Sequence, residues 1–169
     1  MTTQTINYSS NTTITMDLSA LASSATWVAG VESNEIDNTT NKYIDAIVQG
    51  AFIVGTTPTV NTFLNVYVWG SDISLATRAI GALDGTSSGE TITTTVAAVS
   101  LALAHQSSIL VNTSDTTYIT KPFSVAQLFG GIMPKFWGLF VAHNMTAALK
   151  TDAGNTDSFR YNGIKFDDA

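Results

Sequence analysis

The feature that most limits what this chain can fold into is an alternation of side chains with period two. In residues 62–69 (TFLNVYVW), Leu64, Val66 and Val68 share one parity, and Phe63, Asn65, Tyr67 and Trp69 share the other. Successive side chains of a strand point to opposite faces, so this segment predicts a strand with an aliphatic core face and an aromatic, half-polar second face. Residues 43–54 (YIDAIVQGAFIV) read similarly, with Val48, Phe52 and Val54 opposing Ile47 and Ile53. Gly50 in their middle predicts a bulge or a close backbone approach. Residues 136–141 (FWGLFV) are apolar on both faces, which suits a central strand or part of a buried interface. Further strands are predicted over 12–18, 116–122 and 158–166. Residues 96–110 are ambiguous: their alanines favour helix, yet Val99, Leu101 and Leu103 alternate with smaller residues, and the segment is read as strand.

Turn-forming clusters at 55–58, 84–89, 112–115 and 152–155 separate these runs. Eight or so short strands at such spacing predict an all-β fold, an antiparallel β-sandwich of jelly-roll-like form. Two short helical turns are expected within it. One covers residues 18–25 after Asp17; the other covers 124–129, with Ser124 as N-cap and Gly130-Gly131 as the stop. The polar residues 1–11 predict an extended N-terminal arm, leaving 12–169 as a single β-sandwich domain.

A chain of 169 residues can bury roughly 70% of the surface it exposes when unfolded, so no disulfide or metal is needed to hold the fold. It has no cysteine, which excludes disulfide frameworks, thiolate nucleophiles and Cys-based metal sites. Hydrophobic residues reach 44% and charged residues only 12%, against about 25% charged in an average protein. A polar but sparsely charged surface suits a domain covered by neighbours, because each charge withdrawn from water carries a desolvation cost. The net charge of −6 and the seven scattered Lys and Arg make nucleic acid and an anionic membrane poor partners. No apolar stretch approaches the roughly 20 residues of a membrane span, and the N-terminus lacks a signal-peptide pattern. The chain is therefore expected to be soluble and made without export through a conventional signal.

Candidate chemistry is sparse. His105 and His143 are the two candidates for a proton shuttle at neutral pH, and neither has a nucleophile or orienting acid in a recognisable motif nearby. Both read as hydrogen-bonded structural histidines. Gly130-Gly131 lacks the spacing and the lysine of a phosphate-binding loop. Asp84, Thr86, Ser88 and Glu90 alternate through a glycine-containing turn, as calcium ligands do, but miss the EF-hand pattern; Asp152, Asn155 and Asp157 do so less neatly. Glu32, Glu35 and Glu90 are the only glutamates; they read as polar surface, so no glycosidase pair is assigned. No catalytic, cofactor-binding or metal residue is assigned. Tyr67 and Trp69 share a strand face, and with Trp27 and Trp137 they are candidate contacts for a glycan or a partner, weighed against plain core packing.

Four stretches together resemble a family of small tailed-phage virion proteins. They are residues 16–42 (MDLSALASSATWVAGVESNEIDNTTNK), 54–71 (VGTTPTVNTFLNVYVWGS), 83–93 (LDGTSSGETIT) and 123–145 (FSVAQLFGGIMPKFWGLFVAHNM). The last, with its SVAxLFGGxxPKxWGLFVxHN pattern, is the most specific. Residues 73–83 are short compared with the family's pattern. The resemblance implies a non-enzymatic structural protein of the particle, foremost a capsid decoration (cement) protein, with a head-fibre or tail component as the alternatives within that class. It also implies the major capsid protein or other virion proteins as partners, a homo-oligomer (a trimer favoured), and residence in the virion after assembly in the host cytoplasm. It brings no catalytic or metal residues. A module binding host surface glycans is the alternative from another class.

Overall fold

The computed structural model describes residues 4–92, 103–151 and 158–168. Two antiparallel sheets pack face to face, as the period-two pattern predicts. The first joins β12 (Ser158–Asp168) to β5 (Asp45–Ile53), with β1 (Gln4–Tyr8) and β2 (Thr12–Ile14) beside β12. β10 (Phe123–Ser124) and β9 (Thr117–Ile119) lie on the other side of β5. The second sheet runs β7 (Ser88–Thr91), β3 (Ala29–Glu32), β11 (Phe136–His143), β6 (Thr62–Ser71), β8 (Ala104–Val111), and β4 (Ile36–Asp37) also pairs with β11. Of the segment 96–110, the described part is the strand β8; the rest falls outside the described residues, as do the 152–155 turn and its acidic neighbours.

The main core lies between the sheets. Leu64, Val66 and Val68 of β6 meet Val48 and Phe52 of β5 and Phe159 and Tyr161 of β12, joined by Trp137, Leu139 and Val141 of β11. The Trp137 ring stands edge-on to Tyr161 at 5.3 Å, tying one sheet to the other.

The other face of β6 departs from the sequence reading. Tyr67 and Trp69 belong to a second core with Phe140 and Ala142 of β11, closed by Leu75, Leu83, Ile92 and Leu103. The chain after β6 folds back over the outside of the second sheet, so β6 and β11 are buried on both faces. A local alternation records which residues share a face; it carries no information on what covers that face.

Of the two expected helical turns, one forms. α1 (Val125–Leu128) is capped by Ser124, whose hydroxyl accepts from the Gln127 amide at 3.0 Å, and Gly130 and Gly131 end it with positive φ angles of 71° and 87°. Residues 18–25 make turns without helix. Their backbone is engaged elsewhere: the Leu21 carbonyl accepts from the Leu149 amide and from the buried His143 ring. Gly50 makes the predicted close approach, and the β5–β12 register runs through it without a shift. The expected arm is also not free along its whole length, since residues 4–8 pair in register with β12 of the same chain.

Candidate functional site

The corner between β3 and β4 gathers the polar chemistry of the second sheet. Glu32, read from sequence as polar surface, is fully buried. Its carboxylate accepts from the Asp84 amide at 3.0 Å and the Gly85 amide at 3.1 Å. Its neighbours work alike. Ser33 accepts from the Leu139 amide at 2.9 Å, Asn34 from the Ser87 amide at 2.7 Å, and Glu35 from the Leu75 amide at 2.6 Å and the Ser74 hydroxyl at 2.7 Å. Glu32, Asn34 and Glu35 thus hold the returning segment 74–87 over the second core, while Ser33 ties the corner to β11.

Ligand atoms of Glu32, Asp84 and Glu90 lie within 4.8 Å of one another. Burial pushes the Glu32 carboxyl up to about 7, against the two backbone amides that favour its charged form, with Asp84 and Glu90 adding repulsion. The same three carboxylates offer the oxygen donors that a hard divalent cation takes. The sequence reading singled out Asp84 and Glu90 for this reason. It missed Glu32, because nothing local marks a glutamate at the end of a strand as buried. The loop is bonded to itself: the Thr86 amide donates to Asp84, and the Ser88 hydroxyl bonds Glu90 and the Thr86 carbonyl.

The two histidines are far apart in role. His143 is fully buried between the Leu21 carbonyl, 2.8 Å from Nε2, and the Met145 amide, 3.3 Å from Nδ1. That pattern fits a neutral ring donating at Nε2 and accepting at Nδ1, and burial lowers its pKa. His105 is exposed, stacks at a tilt on Tyr67 with ring centres 5.2 Å apart, and reaches Ser108 at 3.1 Å. Ser108 donates on to Asn65, whose amide donates to the Tyr67 hydroxyl.

The four aromatic candidates are not brought together on a surface. Trp69 and Trp137 are completely buried on opposite faces of the second sheet, Tyr67 is 7% exposed, and Trp27 is half-buried at the margin of the second core. Neither Trp69 nor Trp137 presents a face on which a sugar ring can stack.

The outer face of the first sheet is the surface that sequence reading did not single out. Its centre is a depression of about 340 Å³ lined by Asn11, Gln49, Arg160 and Asn162 over Ile47 and Ala51, with Ile119 at its rim. At one end, β12 outruns β5. Its pairing with β5 stops at Ile164↔Asp45, while its pairing with β1 continues to Gln4↔Asp168. The result is a two-stranded ribbon. Ile6 stands opposite Phe166 and Tyr8 opposite Ile164, so period two places all four on one side. Thr5, Asn7, Lys165 and Asp167 fall on the other side, where Lys165 and Asp167 pair at 2.9 Å and Asn7 donates to Asp167 at 2.6 Å.

In comparisons with known proteins, the chain matches no family model, no curated protein and no solved structure.

Proposed function

We propose that this chain is a non-enzymatic structural protein of a phage particle, foremost one that decorates and stabilises the capsid through contacts with the major capsid protein. The observation that carries this reading is what the fold does with its buried polar side chains. Glu32 ties β3 to the loop at Asp84 and Gly85, His143 ties β11 to the turn at Leu21, and Asn38 brackets both backbone groups of Tyr43. Glu32 and His143 brace segments distant in the chain and Asn38 fixes the loop before β5, which suits a rigid scaffold repeated across a lattice. The resemblance of residues 123–145 to virion proteins supplies the setting, and the low charge content agrees with a surface that neighbours cover. A head-fibre or tail position and a trimeric assembly belong to the same reading.

Quantitative mass spectrometry of particles of the phage that encodes the chain tests it, by giving copies per major capsid subunit. A lattice-wide ratio is the expected result. A handful of copies per particle moves the chain to a fibre or the tail, and complete absence overturns the virion reading.

A second reading, a glycan-binding module, is favoured by the depression around Arg160, where amide side chains surround a guanidinium. A glycan-array screen of the wild type and Arg160→Ala separates the two: binding that the substitution abolishes selects the glycan reading.

A further inference from the structure

Residues 72–87, between β6 and β7, cross the outside of the second sheet without pairing with it among the described residues. Their one bridge is internal: Ile80 and Leu83 exchange backbone hydrogen bonds of 2.9 and 3.1 Å. The Thr77 and Arg78 amides likewise donate to the Ser74 carbonyl within the segment. Leu75 and Leu83 are its buried side chains, and residues 76–79 stand exposed. A segment with few buried contacts and no place in a ladder is where a protein opens locally, at a free energy well below that of global unfolding.

The bonds that hold the segment down sit at its two ends, and both ends grip the corner at residues 32–35. At the first end Glu35 accepts from the Leu75 amide and the Ser74 hydroxyl. At the second, Glu32 accepts from the Asp84 and Gly85 amides, and Asn34 from the Ser87 amide. Among the described residues, one backbone-to-backbone bond joins segment and corner, from the Glu35 amide to the Gly85 carbonyl at 2.8 Å. Glu35 therefore couples the ends, its side chain holding the first and its amide the second. The ends also touch each other, since a β-carbon at Gly85 would stand 3.1 Å from that of Glu35 and 3.3 Å from that of Leu75. The turn bonds inside the segment do not depend on the corner, so the segment keeps its shape when the anchors let go.

Trp69 lies beneath these anchors. Its ring crosses Gly138 toward the corner: a β-carbon at Gly138 would meet the ring at 2.5 Å and the Ser33 hydroxyl at 2.8 Å. Leu75 and Leu83 pack in the same core as that ring. We infer that residues 72–87 are a lid that lifts from the second sheet as one unit, with both sheets still formed, and uncovers Trp69. The aromatic face that strand parity marks on β6 then reaches solvent by a conformational step. The lid is independent of the proposed virion role.

The test is hydrogen exchange of the full chain, read site by site by NMR and corrected for intrinsic rates, on the wild type, Asn34→Ala and Ser74→Ala. Each substitution removes one anchor, at opposite ends of the lid, from a position outside the two cores. The indole nitrogens of Trp69 and Trp137 are both buried without a hydrogen-bond partner, so exchange there reports when each ring is uncovered. In the wild type, the amides of Leu75, Asp84, Gly85 and Ser87 and the Trp69 indole should share one protection level. That level should lie at least about a hundredfold below the amides of the β6–β11 ladder and the Trp137 indole. Asn34→Ala should lower protection at Leu75, and Ser74→Ala at Asp84, Gly85 and Ser87, each by about fivefold. Lid amides protected as strongly as the ladder overturn the inference, because the segment then opens only with the whole fold. A substitution felt only at its own end overturns the single unit. A Trp69 indole as protected as that of Trp137, while the lid amides exchange, overturns the uncovering of the ring.

Discussion

Phe159 lies directly across the β5–β12 ladder from Gly50, and its ring occupies the space where a side chain at position 50 would stand. Glycine weakens a strand, and an aromatic ring laid over it from the neighbouring strand restores the buried surface. Gly50→Ala therefore forces the Phe159 ring out of a packed core. The expected cost is about 1–3 kcal/mol, measured by denaturant unfolding. Combining it with Phe159→Leu is expected to recover part of that loss, since the two positions touch.

Glu32 makes the fold respond to pH. Its carboxyl sits at about 7 in the folded chain against an ordinary value of 4.5. The folded state thus binds this proton more tightly than the unfolded one. Its contribution to stability is complete below about 4.5 and is lost as the pH rises through about 7. The wild-type thermal midpoint should accordingly fall relative to that of Glu32→Gln between pH 5 and pH 8, by a few degrees. Parallel midpoint curves for the two proteins would show that the carboxyl does not titrate in this range.

Trp69 fills the second core with no exposure at all. Trp69→Ala should cost about 3–5 kcal/mol and loosen the segment that carries Leu75 and Leu83, as read by hydrogen exchange. A folded Trp69→Ala protein of wild-type stability would contradict this placement.

Ser124 both caps α1 and donates to Asp45. Ser124→Ala should destabilise by about 1 kcal/mol, the usual worth of an N-cap. Because Asp45 also accepts from the Ala126 amide, the double variant with Asp45→Ala is expected to fall short of additivity.

The elements legible in the sequence are those whose signal is local. The alternation in β5 and β6 announced strands, the two-sided apolar run of β11 announced a central strand or a buried interface, and Ser124 with Gly130-Gly131 bounded a helical turn. Each depends on backbone geometry that a residue shares with its immediate neighbours. Residues 18–25 misled for the same reason. Their helical composition is local, while the Leu21 carbonyl is claimed by His143 and Leu149, more than a hundred residues away in the chain.

What tertiary structure alone decided is which faces and charges are covered. Period two separated Tyr67 and Trp69 from Leu64, Val66 and Val68, yet only the fold-back of residues 72–92 made both sides core. Glu32 looks like any solvated glutamate until the backbone amides of Asp84 and Gly85 arrive from fifty residues downstream. Conversely, Phe166 reads as an ordinary apolar strand residue and Ile6 and Tyr8 as part of a polar arm, yet all three stand exposed on one side of the β1–β12 pair. Strand parity is set by the pleat of a single chain, and burial by whatever distant segment comes to lie on it.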